Sequence, residues 1–143
     1  MVKFADISEY YVGELAAKEE QDWIKTQQYK KYLQATQKVI SDFGATKILE
    51  IGCGTGFIPS ELPETVAYVG VDKNPTFLEW ARQKNQPSRR FIQEDIRVLD
   101  QEWLLAQNFE PDLVVSFAFL KHFGFDEWND ITTRILSLAP MAI

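Results

Sequence analysis

A turn of three glycines after a mostly apolar run restricts the fold of this chain more than any other feature. Residues 46–51 read Thr-Lys-Ile-Leu-Glu-Ile, and Gly52, Gly54 and Gly56 follow at every second position. Such a run is typical of a buried strand that ends in a tight turn before a helix. Because glycine has no Cβ, it permits positive φ values and the close approach of a ligand. The pattern therefore predicts a binding loop between a strand and a helix.

Three further apolar runs follow the turn, with helical segments between them. These runs are residues 66–71, 90–93 and 113–119, and Asn74 with Pro75 forms an N-cap and N1 pair after the first of them. Near-continuous apolar strands that alternate with helices indicate a parallel sheet with right-handed crossovers. The predicted fold class is therefore α/β, with ligands expected at the carboxyl ends of the strands.

The segment before the glycine turn is predicted to be helical. Residues 14–43 contain no Gly or Pro and place large apolar side chains at helical spacing. Gly44 is expected to end this helix as a C′ glycine, so residues 1–43 would form a helical cap on a core of residues 44–143. The cap packs on the sheet or, in a second interpretation, also lines a ligand cleft with aromatic side chains. The aromatic candidates are Tyr10, Tyr11, Trp23 and Tyr29.

Length and composition limit the class of protein. A chain of 143 residues, 45% of them hydrophobic, suits a single globular domain. The formal charge of -6 disfavours nucleic acid as a partner, and the pairs Lys30-Lys31 and Arg89-Arg90 are expected on solvated faces. No apolar run is long enough to span a membrane and no signal peptide is evident, so a cytoplasmic protein is expected. With one Cys and one His, no metal site is predicted.

The spacing of the glycines distinguishes two kinds of nucleotide-binding loop. A dinucleotide fingerprint, Gly-x-Gly-x-x-Gly, would need a third glycine where Phe57 stands. The sequence instead has Gly-x-Gly-x-Gly, with Glu50 before it and Asp72 at the end of the next apolar run. A carboxylate at that position can accept hydrogen bonds from both hydroxyls of a ribose. These features favour a nucleoside-bearing ligand.

The segment Ile48–Gly56 resembles the signature loop of the class I S-adenosylmethionine-dependent methyltransferases. Residues 69–72, 94–96 and 112–116 are similar, in order and spacing, to the next three sequence blocks of that family. The resemblance covers about residues 46–138. It implies a Rossmann-like, doubly wound parallel sheet and S-adenosylmethionine as the cofactor.

The resemblance also implies a set of cofactor contacts at the ends of four strands. In that family the turn after the first strand meets the methionine part, the second strand end the ribose, the third the adenine, and the fourth lies near the methyl group. The corresponding residues here are Glu50, Gly52, Cys53, Gly54, Thr55, Gly56, Asp72, Lys73, Asp95, Ile96, Ser116 and Phe117.

Three of the candidate residues have alternative interpretations. Asp72 could cap a strand end, and Asp95 could be only a turn-initiating acid, since such acids are common. His122 follows the fourth apolar run, where a general base could reach an acceptor, or it is structural or exposed. Cys53 is expected to fill space beneath the turn rather than to react.

The chain ends at residues 140–143, where a fifth strand would begin, whereas members of the family usually complete seven strands. We therefore expect a domain without its C-terminal strands, either a fragment or a naturally short relative. An exposed apolar sheet edge would need a cover, which a second copy in a homodimer or further strands could supply.

The function expected from these observations is methyl transfer from S-adenosylmethionine to a small-molecule acceptor. A noncatalytic cofactor-binding or interaction module is the alternative. A nicotinamide-dependent oxidoreductase is a third interpretation, disfavoured by Phe57.

Overall fold

The computed structural model describes residues 25–143 together with Lys18, Gln21 and Asp22. The first long helix is α1 (Gln27–Phe43). It ends at Gly44, whose φ is 69° and whose N–H donates to the carbonyl of Ile40 at 2.9 Å, so the predicted C′ glycine is confirmed. The aromatic candidates Tyr10, Tyr11 and Trp23 lie outside the described residues.

Five strands form one parallel sheet. They are β1 (Lys47–Ile51), β2 (Ala67–Asp72), β3 (Arg90–Gln93), β4 (Leu113–Val115) and β5 (Met141–Ala142). Their order across the sheet is β3-β2-β1-β4-β5. The order reverses between β1 and β4, and ligands of such sheets bind where the order reverses. The predicted doubly wound, Rossmann-like fold is confirmed.

Short helices connect the strands. They are α2 (Phe57–Ser60), α3 (Pro75–Lys84), α4 (Gln101–Ala106) and α5 (Trp128–Ser137), with 3-10 turns at Ile96–Val98, Leu120–His122 and Phe125–Glu127. Asn74 is the N-cap of α3, since its Oδ1 accepts from the backbone N–H groups of Thr76 at 3.0 Å and Phe77 at 3.3 Å. None of the helices in the described part of the chain is long and apolar enough to cross a membrane.

Apolar side chains cover both faces of the sheet. On β1, Ile48 faces a layer that contains Tyr29 of α1 and Leu78 of α3. The next residue, Leu49, faces the opposite layer with Ile131 of α5. Burial on both faces explains why the strands are near-continuous apolar runs in the sequence.

The strand β4 is shorter than the apolar run that predicted it. Residues 113–119 were expected to form one strand, but only Leu113–Val115 do so. Ala118 has a φ of 52°, in the left-handed region, which interrupts the extended backbone. The longer strand was therefore wrong, because the partly buried loop of residues 116–119 has the same apolar pattern as a buried strand.

The last residues of the chain form a fifth, short strand. Met141 lies opposite Leu113 and Ala142 opposite Val114, both in parallel register. The N–H of Ser116 donates to the carbonyl of the last residue, Ile143, at 2.8 Å. The stub expected at residues 140–143 thus pairs with the outer edge of β4.

Arg89 is buried, which corrects the expectation of a solvated pair. It is 6% exposed, and its guanidinium donates to the carbonyls of Leu62 at 3.0 Å, Pro63 at 2.9 Å and Val66. A planar guanidinium has five donors and can bond several carbonyls of one loop at once. Arg90 is exposed.

Candidate cofactor-binding site

The glycine turn has the conformation that its sequence predicts. The φ values of Gly52, Gly54 and Gly56 are 73°, 55° and 77°, all in the left-handed region that favours glycine. The N–H groups of Gly52 and Cys53 both donate to the carbonyl of Val71, at 2.8 and 3.1 Å. The turn is therefore fixed to the end of β2.

Neighbouring side chains pack directly against two of these glycines. A Cβ on Gly56 would lie 2.6 Å from Nδ2 of Asn85 and 2.9 Å from Cβ of Ala81, both at the end of α3. A Cβ on Gly52 would lie 2.5 Å from Cδ2 of Phe119, in the segment after β4. Both glycines are thus required by close contacts as well as by φ.

Asp72, at the end of β2, is bonded to the glycine turn. Its Oδ2 accepts from the N–H of Gly54 at 3.0 Å, and its Oδ1 accepts from the N–H of Asn74 at 2.9 Å. Burial raises the pKa of this carboxyl above its ordinary value, and the backbone N–H groups and the charge of Lys73 offset only part of that rise. The carboxylate offers only acceptor oxygens at this point, as a pair of ribose hydroxyls requires.

Lys73 connects this strand end to Asp95 at the end of β3. Its Nζ lies 3.3 Å from Oδ2 of Asp95, while Oδ1 of Asp95 accepts from the N–H of Arg97 at 2.9 Å. Burial acts to raise the pKa of Asp95, but the bond from Arg97 and the charges of Arg97 and Lys73 outweigh it, so the pKa lies below the ordinary value. Ile96 is 2% exposed and its side chain packs in the core.

The carboxylate of Glu50 lies inside the protein. Glu50 is 2% exposed and accepts a hydrogen bond of 2.5 Å from the hydroxyl of Tyr68 on β2. A Cβ on Gly70 would lie 2.7 Å from that hydroxyl and 2.9 Å from Sγ of Cys53. Burial and then the charge of Glu50 raise the pKa of Tyr68 well above its usual range, so the hydroxyl keeps its proton and donates. Cys53 is fully buried and packs here.

The end of β4 carries Ser116 and Phe117. The hydroxyl of Ser116 is buried and has no hydrogen-bond partner among the described residues. The ring of Phe117 stacks on Tyr32 of α1, with ring centroids 4.5 Å apart and an interplanar angle of 4°. Helix α1 therefore packs on the sheet and also contributes an aromatic side chain next to this strand end.

Thr55 is bonded to a residue that precedes α1. Its Oγ1 accepts from Nε2 of Gln21 at 2.5 Å, and Oε1 of Gln21 accepts from Nζ of Lys84 at 3.2 Å. Thr55 itself is fully buried. Gln21 thus connects the glycine turn to the end of α3.

His122 lies in the 3-10 turn after β4, where its backbone N–H donates to the carbonyl of Phe119 at 3.1 Å. It therefore lies in the same segment as Phe119, whose ring contacts Gly52. A catalytic role for His122 stays a prediction. Within the residues that the structure describes, no group of three or more His, Cys, Asp or Glu side chains could hold a metal ion.

Several residues with contacts at this site were absent from the sequence predictions. They include Gln21, Tyr32, Tyr68, Arg97 and Phe119. Gly70 was a usable signal for Tyr68, because a glycine inside a strand indicates the close approach of another group. Phe119 was hidden in the strand predicted over residues 113–119, and no spacing rule distinguishes Arg97.

The glycine turn, the end of β2 and the end of β4 all lie within one family match. The family described as methyltransferase domain matches residues 48–139, which is more than half of the chain. The chain belongs to this methyltransferase family. None of the curated protein sequences compared with the chain matches it.

Solved structures of methyltransferases have a similar fold. Magnesium protoporphyrin IX methyltransferase from Synechocystis PCC 6803 with bound S-adenosylmethionine has 19% identity and a TM-score of 0.63, with 78% of this chain and 54% of that chain covered. The plantazolicin methyltransferase BpumL, in complex with S-adenosylhomocysteine, has 16% identity and a TM-score of 0.67, with 94% and 53% covered. A putative S-adenosylmethionine-dependent methyltransferase from Methanococcus maripaludis has 18% identity and a TM-score of 0.65, with 87% and 57% covered. The chain thus spans about half the length of these proteins.

Proposed function

We propose that this methyltransferase domain binds S-adenosylmethionine and transfers its methyl group to a small-molecule acceptor. The observation that carries the proposal is the hydrogen bond of 3.0 Å between the N–H of Gly54 and the carboxylate of Asp72. This bond holds the carboxylate of Asp72 beside the glycine turn, where the carboxylate would accept from the ribose hydroxyls. Family membership supports this proposal, as do similar structures that bind S-adenosylmethionine or S-adenosylhomocysteine.

The charges around the turn fit this cofactor. S-adenosylmethionine carries a sulfonium and an ammonium, and the carboxylates of Glu50 and Asp72 favour positive charge near the turn. Glu50 would act from beneath the turn, since Tyr68 holds its carboxylate in the interior. Helix α2 has only four residues, so its macrodipole would contribute little to binding the carboxylate of the cofactor.

Methyl transfer requires mainly that the acceptor is aligned with the methyl group and that water is excluded. The bound cofactor would supply a methyl group already activated by the sulfonium. The stacked rings of Tyr32 and Phe117 form an apolar wall at the end of β4, which would exclude water from that side. Where the acceptor must lose its proton as the new bond forms and the bond from carbon to sulfur breaks, His122 is the candidate general base.

The acceptor is proposed to be a small molecule on two grounds. The net charge of -6 disfavours a polyanionic partner. Two of the similar structures are named for a magnesium protoporphyrin and for plantazolicin. A cytoplasmic location and a homodimer that covers the outer edge of β5 stay predictions, and light scattering that finds only monomers at high concentration would contradict the dimer.

Calorimetric titration with S-adenosylhomocysteine tests the cofactor assignment. Asp72→Asn replaces one acceptor oxygen with a donor at equal size, and we expect it to weaken binding by roughly tenfold or more. Asp130→Asn, at an exposed position on α5, is the matched control and should bind like the wild type. Equal affinity of Asp72→Asn and wild type would refute the ribose assignment.

A methyl-transfer assay then distinguishes the enzyme from a noncatalytic module. The module is favoured by one observation, that the chain spans about half of the solved proteins it matches; binding without turnover on any acceptor class would support it. The ring of Phe57 packs on Tyr29 at 4.8 Å, where a dinucleotide loop needs its third glycine. Tight NAD binding without S-adenosylhomocysteine binding would reverse that argument and indicate an oxidoreductase.

A further inference from the structure

Arg97 contacts three separate segments at the carboxyl edge of the sheet. Its Nη1 lies 3.1 Å from Oδ2 of Asp95, at the end of β3. Its Nε and Nη2 both donate to Oε1 of Glu127, at 3.0 Å, and Nη2 also lies 3.2 Å from Oε2. Its guanidinium carbon stands 5.0 Å from the centre of the Phe123 ring. One side chain thus joins the end of β3, the segment after β4 and the start of α5.

The contact with Phe123 continues to the glycine turn. Phe123 is 2% exposed, and its ring meets Phe119 edge to face with centroids 4.9 Å apart. Phe119 in turn packs against Gly52, where a Cβ would approach its ring to 2.5 Å. A continuous set of contacts therefore runs from Asp95 through Arg97 to Gly52.

The charges in this set are only partly shielded from solvent. The side chains of Arg97, Glu127 and Asp95 are 37%, 36% and 26% exposed. Single ion pairs at such exposure contribute little to stability. A guanidinium that bonds two carboxylates and lies over a ring has only a few allowed orientations, however. Its main effect is therefore on the relative positions of the segments it contacts.

We propose that Arg97 is a positioning residue for cofactor binding. It holds Asp95, at the adenine end of the pocket, and the ring of Phe119, which packs on Gly52 at the methionine end, in one arrangement. Both ends of the cofactor pocket therefore form together. In this role Arg97 acts through Asp95 and Phe123 rather than through a contact of its own with the cofactor or the acceptor. The proposal rests on the proposed function, because it assigns the two ends of the pocket to the two ends of S-adenosylmethionine.

Two ligands distinguish an effect at the adenine end of the pocket from an effect at the methionine end. S-adenosylhomocysteine has both the nucleoside and the amino-acid part, whereas 5′-methylthioadenosine lacks the amino-acid part. We expect Arg97→Gln to weaken the binding of S-adenosylhomocysteine about tenfold and that of 5′-methylthioadenosine about threefold. The smaller loss follows because the second ligand has no amino-acid part to contact the glycine turn. Arg97→Lys keeps a charge beside Asp95 without the fork, and it should lie between the wild type and Arg97→Gln.

Phe123→Leu interrupts the set of contacts from Arg97 to Gly52 without removing a charge. It should weaken S-adenosylhomocysteine about fivefold and leave 5′-methylthioadenosine unchanged, and the double variant with Arg97→Gln should bind within about twofold of Arg97→Gln alone. Arg90→Gln is the control, because Arg90 is an exposed arginine on β3 that donates to the carbonyl of Gln107 at 2.9 Å. It should bind both ligands like the wild type.

The thermal unfolding of every variant is measured beside its affinities. Unchanged affinity of Arg97→Gln for S-adenosylhomocysteine overturns the positioning role, and so does an equal loss of both ligands. If Arg97→Gln does not fold, the ratio of the two affinities in Arg97→Lys decides, and a ratio equal to that of the wild type overturns the role. A wild-type protein that does not bind S-adenosylhomocysteine overturns the proposed function instead.

Discussion

Replacing Tyr68 by Phe should destabilise the protein by removing one buried hydrogen bond. The hydroxyl of Tyr68 donates to Oε2 of Glu50 at 2.5 Å, and the two residues are 2% exposed each. The phenyl ring remains in the variant, so its packing with Phe91 is retained and only the hydroxyl over Gly70 is lost. The carboxylate of Glu50 loses a donor at a position that water does not readily reach.

The size of the effect follows from the charge of the acceptor. A hydrogen bond to a charged group contributes about 1.5–3 kcal/mol, and a buried partner left without it bears the desolvation cost. We therefore expect Tyr68→Phe to lower the free energy of unfolding by about 2 kcal/mol. For a chain of this length that corresponds to a fall in Tm of about 6 °C.

Urea unfolding of the wild type and of Tyr68→Phe at neutral pH measures this loss. Tyr32→Phe is the matched control, because the hydroxyl of Tyr32 accepts from Nε2 of Gln28 at 3.0 Å in an exposed hydrogen bond; its effect should stay within about 0.5 kcal/mol. Equal effects of the two substitutions would mean that the buried hydrogen bond from Tyr68 to Glu50 does not contribute this stability.

The pH dependence gives a second check on Tyr68. Its pKa in the folded protein is raised above the ordinary value of 10.0, so the unfolded chain loses this proton first. The stability due to the protonated hydroxyl is fully present below pH 10 and is lost as the pH rises above it. The difference in stability between the wild type and Tyr68→Phe should therefore narrow above pH 10.

Three further predictions concern the backbone and the ribose acceptor. Gly70→Ala would place a Cβ 2.7 Å from the hydroxyl of Tyr68, so urea unfolding should show a loss of about 2–3 kcal/mol; unchanged stability would contradict the close contact. Ala118→Gly relieves a φ of 52° and should raise stability by about 0.5 kcal/mol after the flexibility of glycine is subtracted, whereas Asn108→Gly, at the same φ, should change it less because Asn tolerates this region. A drop on Ala118→Gly would speak against strain there. Because burial raises the pKa of Asp72, its carboxylate should take up a proton at a higher pH than an ordinary aspartate. Calorimetry should therefore show that affinity for S-adenosylhomocysteine declines as the solution is acidified; a decline of equal size in Asp72→Asn would assign it to another group.

Local sequence rules were sufficient for the β1 turn and the end of β2. Positive φ at Gly52, Gly54 and Gly56 and the cap at Asn74 depend on residues close in the chain. The carboxylate of Asp72 reaches the turn because parallel strands bring their carboxyl ends to one edge. These features follow from glycine chemistry and strand periodicity, which the sequence displays directly.

Contacts between distant segments could not be predicted in the same way. The approach of Phe119 to Gly52 depends on the left-handed backbone at Ala118. An alanine in a sequence does not indicate that conformation. Arg97 and Glu127 are 30 residues apart, and their pairing depends on where the segment after β4 packs. The burial of Glu50 against β2 likewise depends on cross-strand register rather than on its position before the turn.

A crystal structure with S-adenosylhomocysteine bound is the decisive measurement for the cofactor site. We expect both ribose hydroxyls within hydrogen-bond distance of the carboxylate of Asp72, with the methionine part crossing the backbone of Gly52 and Gly54. A nucleoside bound away from Asp72, or a methionine part directed away from the glycine turn, would contradict it.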